Sequence, residues 1–149
     1  MVQAIIAKRI EAPASEVWAL VNWKGCEALM PIPGQMENVR FEGDGVGAHR
    51  IFEVNKERLG GGFIVEELVS INSDKMFYEY CMPDNGPLPW TDYKGEIRVT
   101  PCGPDACAIK FTVDITPVGV PDEECRNIFI THCLMDVARI SEHLADQAN

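Results

Sequence analysis

Between residues 35 and 116 the sequence is a succession of short runs rich in β-branched and aromatic residues, each ended by a turn. The runs cover residues 36–42, 47–55, 63–71, 75–82, 91–100 and 107–116. Segments such as Gly43-Asp44-Gly45 and Asn72-Ser73-Asp74 separate them, and these residue types form tight turns. Connections this short join neighbouring strands as hairpins, so the pattern predicts an antiparallel meander.

One more strand and two short helices are predicted before this region. Residues 2–10 alternate apolar and polar side chains, which indicates a seventh strand. Residues 12–21 carry Pro13 where a first helical turn accepts it, and apolar residues follow at helical spacing. Residues 23–29 form a second, shorter helical pattern, which the prolines and glycine of residues 31–34 end.

The longest helical pattern lies after the strands, at residues 122–145. Acidic residues occupy its first turn, and an apolar stripe recurs at helical spacing: Phe129, Cys133, Val137, Ile140 and Leu144. A seven-stranded antiparallel sheet must bury one face, and only this helix is long enough to cover it. The sequence therefore predicts an α+β fold, and a curved sheet wrapped on one helix leaves room for an internal cavity.

Composition narrows the functional classes. The 149 residues are enough for one domain, which we place at residues 1–149. The net charge of −10 disfavours binding to nucleic acid and to anionic membrane surfaces. No apolar run is long enough to insert into a membrane, and the first residues lack the charge order of a signal peptide, so we expect a cytoplasmic protein.

The six cysteines do not form a recognisable metal motif. None are spaced as C-x-x-C, and none of the three histidines pairs with a cysteine at ligand spacing. In a reducing compartment we expect thiols rather than disulfides. The sequence therefore predicts neither a metal site nor a cofactor.

The chain resembles the helix-grip superfamily, which includes START domains, birch-pollen-allergen-like proteins and polyketide cyclases. Four segments carry the resemblance: RIEAPASEVWALV at 9–21, GVGAHRIF at 45–52, VEELVSINSDKMFYEY at 65–80 and GPLPWTDYKGEIRVTP at 86–101. The resemblance implies a seven-stranded curved sheet wrapped around the C-terminal helix, with two short helices after the first strand. It also implies an internal cavity for a small hydrophobic or amphipathic ligand, in carriers, receptors and enzymes alike.

A narrower resemblance connects the chain to the branch that contains the lachrymatory-factor synthases and the plant abscisic-acid receptors. That branch has an arginine in its third strand, a glutamate in its fourth and a tyrosine in its sixth, which here are Arg50, Glu66 and Tyr93. In synthase-like members the resemblance implies that this trio carries acid–base chemistry. The chain fits the hypothesis of a hormone receptor less well, because the receptors have a lysine where this chain has Gln35.

Alternation along the strands indicates which of these side chains face inward. Arg50 shares the apolar side of its strand with Phe52, and Tyr93 shares the apolar side of its strand with Ile97. For the fourth strand alternation leaves the choice open: a bulge places Glu66 inside, whereas a regular strand places Glu67 inside.

Charge compensation connects the arginine to the glutamate. An arginine alone in an apolar pocket is costly to bury, and a neighbouring carboxylate offsets that cost. An ionised Glu66 can accept a proton, Tyr93 can donate one or bind a developing oxyanion, and Arg50 can anchor negative charge. The competing interpretation is a structural ion pair beside a cavity-lining tyrosine.

Other side chains are candidates for the cavity wall. We expect these ligand-binding positions: Phe52, Tyr78, Tyr80, Trp90, Phe111, Phe129, Cys133 and Asp136. Trp90 is either a lid residue at the mouth or a packing residue of its proline-rich loop. Asp136 and His132 flank the apolar stripe of the long helix, where the rarity of unpaired buried aspartates favours a groove edge over the cavity floor. Gly60–Gly62 is a candidate entrance loop.

Two functions of different classes follow. The first is a cofactor-free enzyme of the cyclase, dehydratase or isomerase kind that binds a small, largely apolar molecule and transfers protons through Glu66 and Tyr93. The second is a non-catalytic carrier or sensor in which the same residues anchor a polar group. Either kind of protein is expected as a monomer or a homodimer.

Overall fold

The computed structural model describes residues 1–148 and shows one seven-stranded antiparallel sheet. The strands are β1 (Val2–Ile10), β2 (Met36–Glu42), β3 (His49–Val54), β4 (Phe63–Asn72), β5 (Phe77–Asp84), β6 (Trp90–Pro101) and β7 (Cys107–Pro117). The helices are α1 (Ala14–Val21), a 3-10 helix (Gly25–Leu29), α2 (Lys56–Leu59) and α3 (Asp122–Ala148). These elements confirm the predicted helix-grip architecture, including the two short helices after the first strand.

The sheet follows chain order from β2 to β7, as the short connections predict. Its order is β1-β7-β6-β5-β4-β3-β2, so each strand from β2 onward pairs with the next one along the chain. β1 pairs with β7 from Val2 opposite Ile115 to Ile10 opposite Cys107. The strand that begins the chain therefore lies at the opposite edge from β2, and α1 and the 3-10 helix make the connection between the two edges.

α3 covers the concave face of the sheet. Its 27 residues bury Cys125, Phe129, Cys133 and Ile140. Burial of a large apolar side chain such as Phe129 contributes about 1.5–3 kcal/mol, so this stripe holds the helix in place. Among residues 1–148 no helix is long and apolar enough to cross a lipid bilayer.

α1 closes one end of the space between α3 and the sheet. Its buried side chains are Ala14, Val17, Leu20 and Val21, and the last three form the apolar stripe that the sequence predicts. Pro13 precedes the helix and its carbonyl accepts the first backbone hydrogen bonds, from Glu16 and Val17. The short helices thus complete the wall of a cavity that α3 and the sheet leave open.

One helix lies where the sequence predicts only a connection. α2 occupies residues between β3 and β4, with the Asn55 side chain accepting a hydrogen bond from the Arg58 backbone N–H. It ends at Gly60, whose φ of 87° is left-handed and suits glycine. A four-residue helix has too few turns to show an apolar period, so pattern reading does not detect it.

Candidate functional site

A cavity of about 190 Å³ lies between α3 and the concave face of the sheet. All of the residues predicted as catalytic or ligand-binding line it: Arg50, Phe52, Glu66, Tyr78, Tyr80, Trp90, Tyr93, Phe111, Phe129, Cys133 and Asp136. They come from five strands and from α3, so the fold rather than sequence proximity brings them together. The remaining wall is largely apolar and includes leucine, isoleucine and methionine side chains.

The sheet side of the cavity carries a buried ion pair. Arg50 in β3 and Glu66 in β4 are directly opposite each other in the register of the two strands. Arg50 Nε donates to Glu66 Oε1 at 2.6 Å, and the two residues are 4% and 7% exposed. Within residues 1–148 they are the only charged residues that are fully buried. We call these two residues the sheet-side pair.

Glu66, and not Glu67, is the inward carboxylate of β4. The inward residues are Ile64, Glu66 and Leu68, whereas Glu67 lies on the outer face, where its Oε1 is 2.9 Å from Nε2 of His49. From Ile64 to Leu68 the strand alternates regularly, so Glu66 faces inward without a bulge. The expectation that a regular strand places Glu67 inside is wrong, because the outer face of β4 is as apolar as the inner one.

Arg50 also holds the segment before the 3-10 helix. Its Nη1 donates to the Trp23 carbonyl at 3.1 Å, and its guanidinium lies 4.3 Å from the centre of the Trp23 ring. Cys26 Sγ lies 3.9 Å from the same nitrogen. Burial alone would lower the pKa of Arg50, but Glu66 and the neighbouring phenols more than offset this and raise it well above the usual value. Arg50 therefore keeps its charge.

Two tyrosines form a hydrogen-bonded pair beside the ion pair. The hydroxyl oxygens of Tyr80 in β5 and Tyr93 in β6 are 2.7 Å apart, and both residues are buried. Burial raises the pKa of each phenol well above 10, so both hydroxyls stay protonated. One of the two hydroxyl protons forms the hydrogen bond between the tyrosines, so the other is available to an oxygen atom of a ligand.

Gly95 allows the two tyrosines to meet. It lies opposite Tyr80 in the β5–β6 register and two residues after Tyr93. A Cβ atom at this position would lie 2.8 Å from ring carbons of both tyrosines, closer than any side chain tolerates. The absence of a side chain at Gly95 is thus a condition for the Tyr80–Tyr93 hydrogen bond.

A bulge in β6 turns Trp90 into the cavity wall. Strict alternation from Tyr93 would point Trp90 outward, but the register with β7 shifts between Thr91 and Lys94. Asp92 takes a φ of 52° there, a left-handed conformation that aspartate tolerates better than most residues. Trp90 is 3% exposed and packs its ring against Tyr93 and Phe129.

The helix side of the cavity carries a second ion pair. Asp136 and Arg139 of α3 both line the cavity, and Arg139 Nη2 donates to Asp136 Oδ1. The two residues are called the helix-side pair below. The Asp136 side chain lines the cavity and is 45% exposed, so part of it remains accessible beside the hydrogen bond from Arg139. Asp136 is thus a lining residue that is paired with Arg139 and partly exposed, which is compatible with a place at the edge of the cavity.

The surroundings of the helix-side pair favour neutral groups. Burial raises the pKa of Asp136 to about 6, although Arg139 opposes the shift. His132 also lines the cavity, with its ring edge-on to Trp90, and burial together with Arg139 lowers its pKa. At pH 7 His132 is thus uncharged, while Asp136 remains mainly ionised.

Sequence reasoning missed Trp23, Cys26 and Arg139 as parts of the site. Trp23 and Cys26 lie in a short helical segment whose contact with β3 no local pattern reveals. Arg139 has a detectable signal, because it follows Asp136 by three residues on the same helix face. No group of three or more histidine, cysteine or carboxylate side chains within residues 1–148 is arranged to hold a metal ion.

A family model described as polyketide cyclase / dehydrase and lipid transport matches residues 1–130. The chain belongs to this family. The match covers β1 through the first part of α3, which includes every element of the sheet. Membership supports a ligand-binding, cyclase-like role for the cavity. Among curated proteins, none matches the sequence of this chain.

Solved structures similar to this chain come from bacteria and plants. The protein XoxI from Bacillus cereus is 21% identical, with a TM-score of 0.79 over 100% of this chain and 99% of that one. The Zhui aromatase/cyclase from Streptomyces sp. R1128 is 14% identical, with a TM-score of 0.74 over 99% and 95%. Norcoclaurine synthase from Thalictrum flavum, in complex with dopamine and hydroxybenzaldehyde, is 24% identical, with a TM-score of 0.68 over 97% and 88%. These similarities establish the helix-grip fold.

Proposed function

We propose that the cavity binds one small, largely apolar molecule and that the protein acts on it as a cofactor-free cyclase, dehydratase or isomerase. The observation that carries the proposal is the sheet-side pair, a buried arginine and glutamate in the wall of an otherwise apolar cavity. A buried ion pair is seldom favourable for stability compared with apolar residues of the same size. Its position in the cavity wall therefore suggests a chemical role.

Glu66 is the proposed proton acceptor. Its Oε1 accepts the hydrogen bond from Arg50, so we assign the proton transfer to Oε2. The Arg50 guanidinium lies against this carboxylate and holds it in place in the cavity wall.

Tyr93 is the proposed proton donor or oxyanion ligand, with Tyr80 as its support. A phenol that stays protonated can donate to an oxygen on which negative charge develops. The hydrogen bond to Tyr80 fixes the orientation of the Tyr93 hydroxyl before a ligand binds. Arg50 lies beside this pair, with its guanidinium 5.3 Å from the Tyr80 ring centre, and would stabilise the same negative charge.

A carrier or sensor is the second candidate, and the contacts of Arg50 favour it specifically. The guanidinium already donates to Glu66 and to the Trp23 carbonyl, and both contacts are structural. In such a protein the sheet-side pair would tie the 3-10 helix segment to the sheet, and the tyrosines would anchor a polar group of the ligand without reaction.

Glu66→Gln separates the two candidates, with Glu67→Gln as the matched control on the outer face of the same strand. Native mass spectrometry of the freshly purified protein identifies a bound small molecule, and liquid chromatography with mass spectrometry then follows its conversion. The enzyme proposal predicts that Glu66→Gln binds the molecule but converts it at least 100-fold more slowly, about the contribution of one acid–base group. Conversion that is equal in Glu66→Gln and Glu67→Gln would refute the assigned role.

We also propose that the protein works in the cytoplasm as a monomer or homodimer. All six cysteines have free thiols, which suits a reducing compartment. Thiol titration and sedimentation of the protein isolated under anaerobic conditions check both parts. Fewer than six reactive thiols after unfolding would argue against this location.

A further inference from the structure

The helix-side pair has no role in the proton transfer proposed above, although it faces the same cavity. Asp136 and Arg139 are three residues apart on α3, and His132 lies one turn before Asp136, so all three share the cavity face of the helix. The hydrogen bond from Arg139 uses Asp136 Oδ1. With 45% of the Asp136 side chain exposed, the carboxylate can still accept a hydrogen bond from a molecule in the cavity.

The cavity as a whole is electrically balanced. Arg50 is compensated by Glu66 and Arg139 by Asp136, while His132 is uncharged at neutral pH. A ligand that carried a full charge would add an uncompensated ion to a largely apolar enclosure, at high free-energy cost. The cavity therefore favours a neutral ligand over a carboxylate or an amine.

One small molecule can contact both ion pairs, because both line the same cavity. The cavity volume of about 190 Å³ is also smaller than the range of about 300–1,000 Å³ that is usual for drug-sized ligands. A molecule that fills the space thus has one end near Tyr80 and Tyr93 and the other near Asp136.

We propose that the ligand is a neutral molecule of about single-ring size with an oxygen function at each end. At the sheet side an oxygen atom accepts a hydrogen bond from the Tyr80–Tyr93 pair, and at the helix side a hydroxyl group donates to Asp136. The middle of the ligand is apolar and packs against rings such as Trp90 and Phe129. The inference rests on the proposed ligand-binding function and deepens it by assigning a ligand class and a specificity-determining role for Asp136.

The proposal disfavours whole classes of ligand. Fatty acids carry a charge at one end and no polar group at the other, so they would cover Asp136 without donating a hydrogen bond to its second oxygen. Molecules of several rings are large for a cavity of about 190 Å³. Small hydrocarbons form no hydrogen bond with the Tyr80–Tyr93 pair or with Asp136.

Two probes of nearly equal size test the assignment. 4-(Hydroxymethyl)phenol carries an oxygen at each end of a ring, whereas 4-methylphenol lacks the second one. Ligand-observed nuclear magnetic resonance gives the dissociation constant of each probe for the full chain. In the wild-type protein we expect 4-(hydroxymethyl)phenol to bind at least tenfold more tightly than 4-methylphenol.

Variants of Asp136 test whether this residue causes the preference for 4-(hydroxymethyl)phenol. In the double variant Asp136→Leu/Arg139→Leu, which keeps the cavity neutral, we expect the ratio of the two dissociation constants to fall to about one. The milder Asp136→Asn keeps the helix intact if the double variant does not fold, and we expect it to lower the ratio at least threefold. Glu142→Gln, an exposed change on the same helix, is the control and should keep the wild-type ratio.

The results that overturn the inference differ from those that overturn the proposed function. A wild-type ratio near one, or a ratio that the Asp136 variants leave unchanged, refutes the role of Asp136 while the cavity remains a binding site. If native mass spectrometry finds a bound molecule but neither probe binds, the ligand class is wrong and the function stands. If the bound molecule is displaced by neither probe and lies outside the cavity, both are wrong.

Discussion

At the scale of residues, the buried sheet-side pair decides much of the behaviour of this protein. The cross-strand register sets Arg50 opposite Glu66, and the two side chains meet at 2.6 Å with little access to water. Removal of one partner leaves the other charge buried without compensation, whereas removal of both leaves no buried charge at this position. The pair therefore makes a stability prediction that does not depend on the identity of the ligand.

We predict that Arg50→Met lowers the free energy of unfolding by about 3–5 kcal/mol, because it leaves the Glu66 carboxylate buried without its partner. The double variant Arg50→Met/Glu66→Leu should be clearly more stable than the single one. Urea unfolding measures both. Arg9→Met, which breaks an exposed ion pair with Glu11, is the control and should have a far smaller effect. A single variant that is as stable as the double one would show that Glu66 has other compensation.

The raised pKa of Asp136 predicts that its contribution to stability depends on pH. Its pKa is about 6 in the folded protein, raised by burial and by Glu66 and opposed by Arg139 and Arg50, while an unfolded aspartate has a pKa of about 3.9. The folded protein therefore holds a proton on Asp136 between these values, so the contribution of this carboxyl to stability falls as pH rises from about 4 to about 6. His132, which faces the same region, loses rather than gains charge on folding.

The variant Asp136→Asn removes this titration. Its free energy of unfolding, relative to wild type, should rise between pH 4 and pH 7 and then level off. Thermal or urea unfolding at intervals of half a pH unit gives the difference curve. A flat difference over that range would mean that the Asp136 carboxyl is well hydrated in the folded protein.

Which residues face the cavity was partly predictable at this scale. Alternation placed Arg50 and Tyr93 on the inner faces of β3 and β6, where they lie. It left Glu66 and Glu67 undecided, because the outer side of β4 is at least as apolar as the inner side, with Val69 46% exposed. Solvent exposure of large apolar residues is common on protein surfaces, so apolar content alone cannot assign the face.

At the scale of elements, irregularities in the strands shape the site more than the regular strands do. The bulge at Asp92 changes the alternation of β6 and so directs both Trp90 and Tyr93 inward. The missing side chain at Gly95 lets two neighbouring strands bring tyrosine rings together. Neither feature has a period that sequence analysis detects, so strict alternation along β6 cannot assign Trp90 and Tyr93 to the same face although the strand itself is predicted.

We predict that Gly95→Ala disrupts the Tyr80–Tyr93 pair. The new Cβ would lie 2.8 Å from both rings, and relief of that overlap costs about 1–3 kcal/mol of stability. Urea unfolding measures the cost, and the hydroxyl proton resonances of the tyrosines report whether their hydrogen bond persists. Lys94→Ala, an exposed change next to Gly95, should cost under about 0.5 kcal/mol. Equal stability of the two variants would mean that the rings do not approach each other as described.

At the scale of the whole molecule, the surplus of negative charge and the chemistry of the site are separate. The chain carries a net charge of −10, yet within residues 1–148 Glu66 is the only fully buried carboxylate, and it is paired. The acidic surface favours solubility, while the balanced cavity selects its ligand. The order of strands and the covering helix were predictable because seven strand patterns and one long amphipathic helix have few ways to bury one shared face.

A variant that fills the cavity tests whether the ligand binds there. Cys133 lies on the cavity face of α3, and Cys133→Phe extends a ring into the space that a ligand would occupy. Cys125→Ala, on the same helix but outside the cavity wall, is the control. The dissociation constant of 4-methylphenol, measured for the three proteins by ligand-observed nuclear magnetic resonance, should rise at least tenfold in Cys133→Phe and stay at the wild-type value in Cys125→Ala. Equal affinity in all three would contradict the claim that this protein binds its ligand between α3 and the sheet.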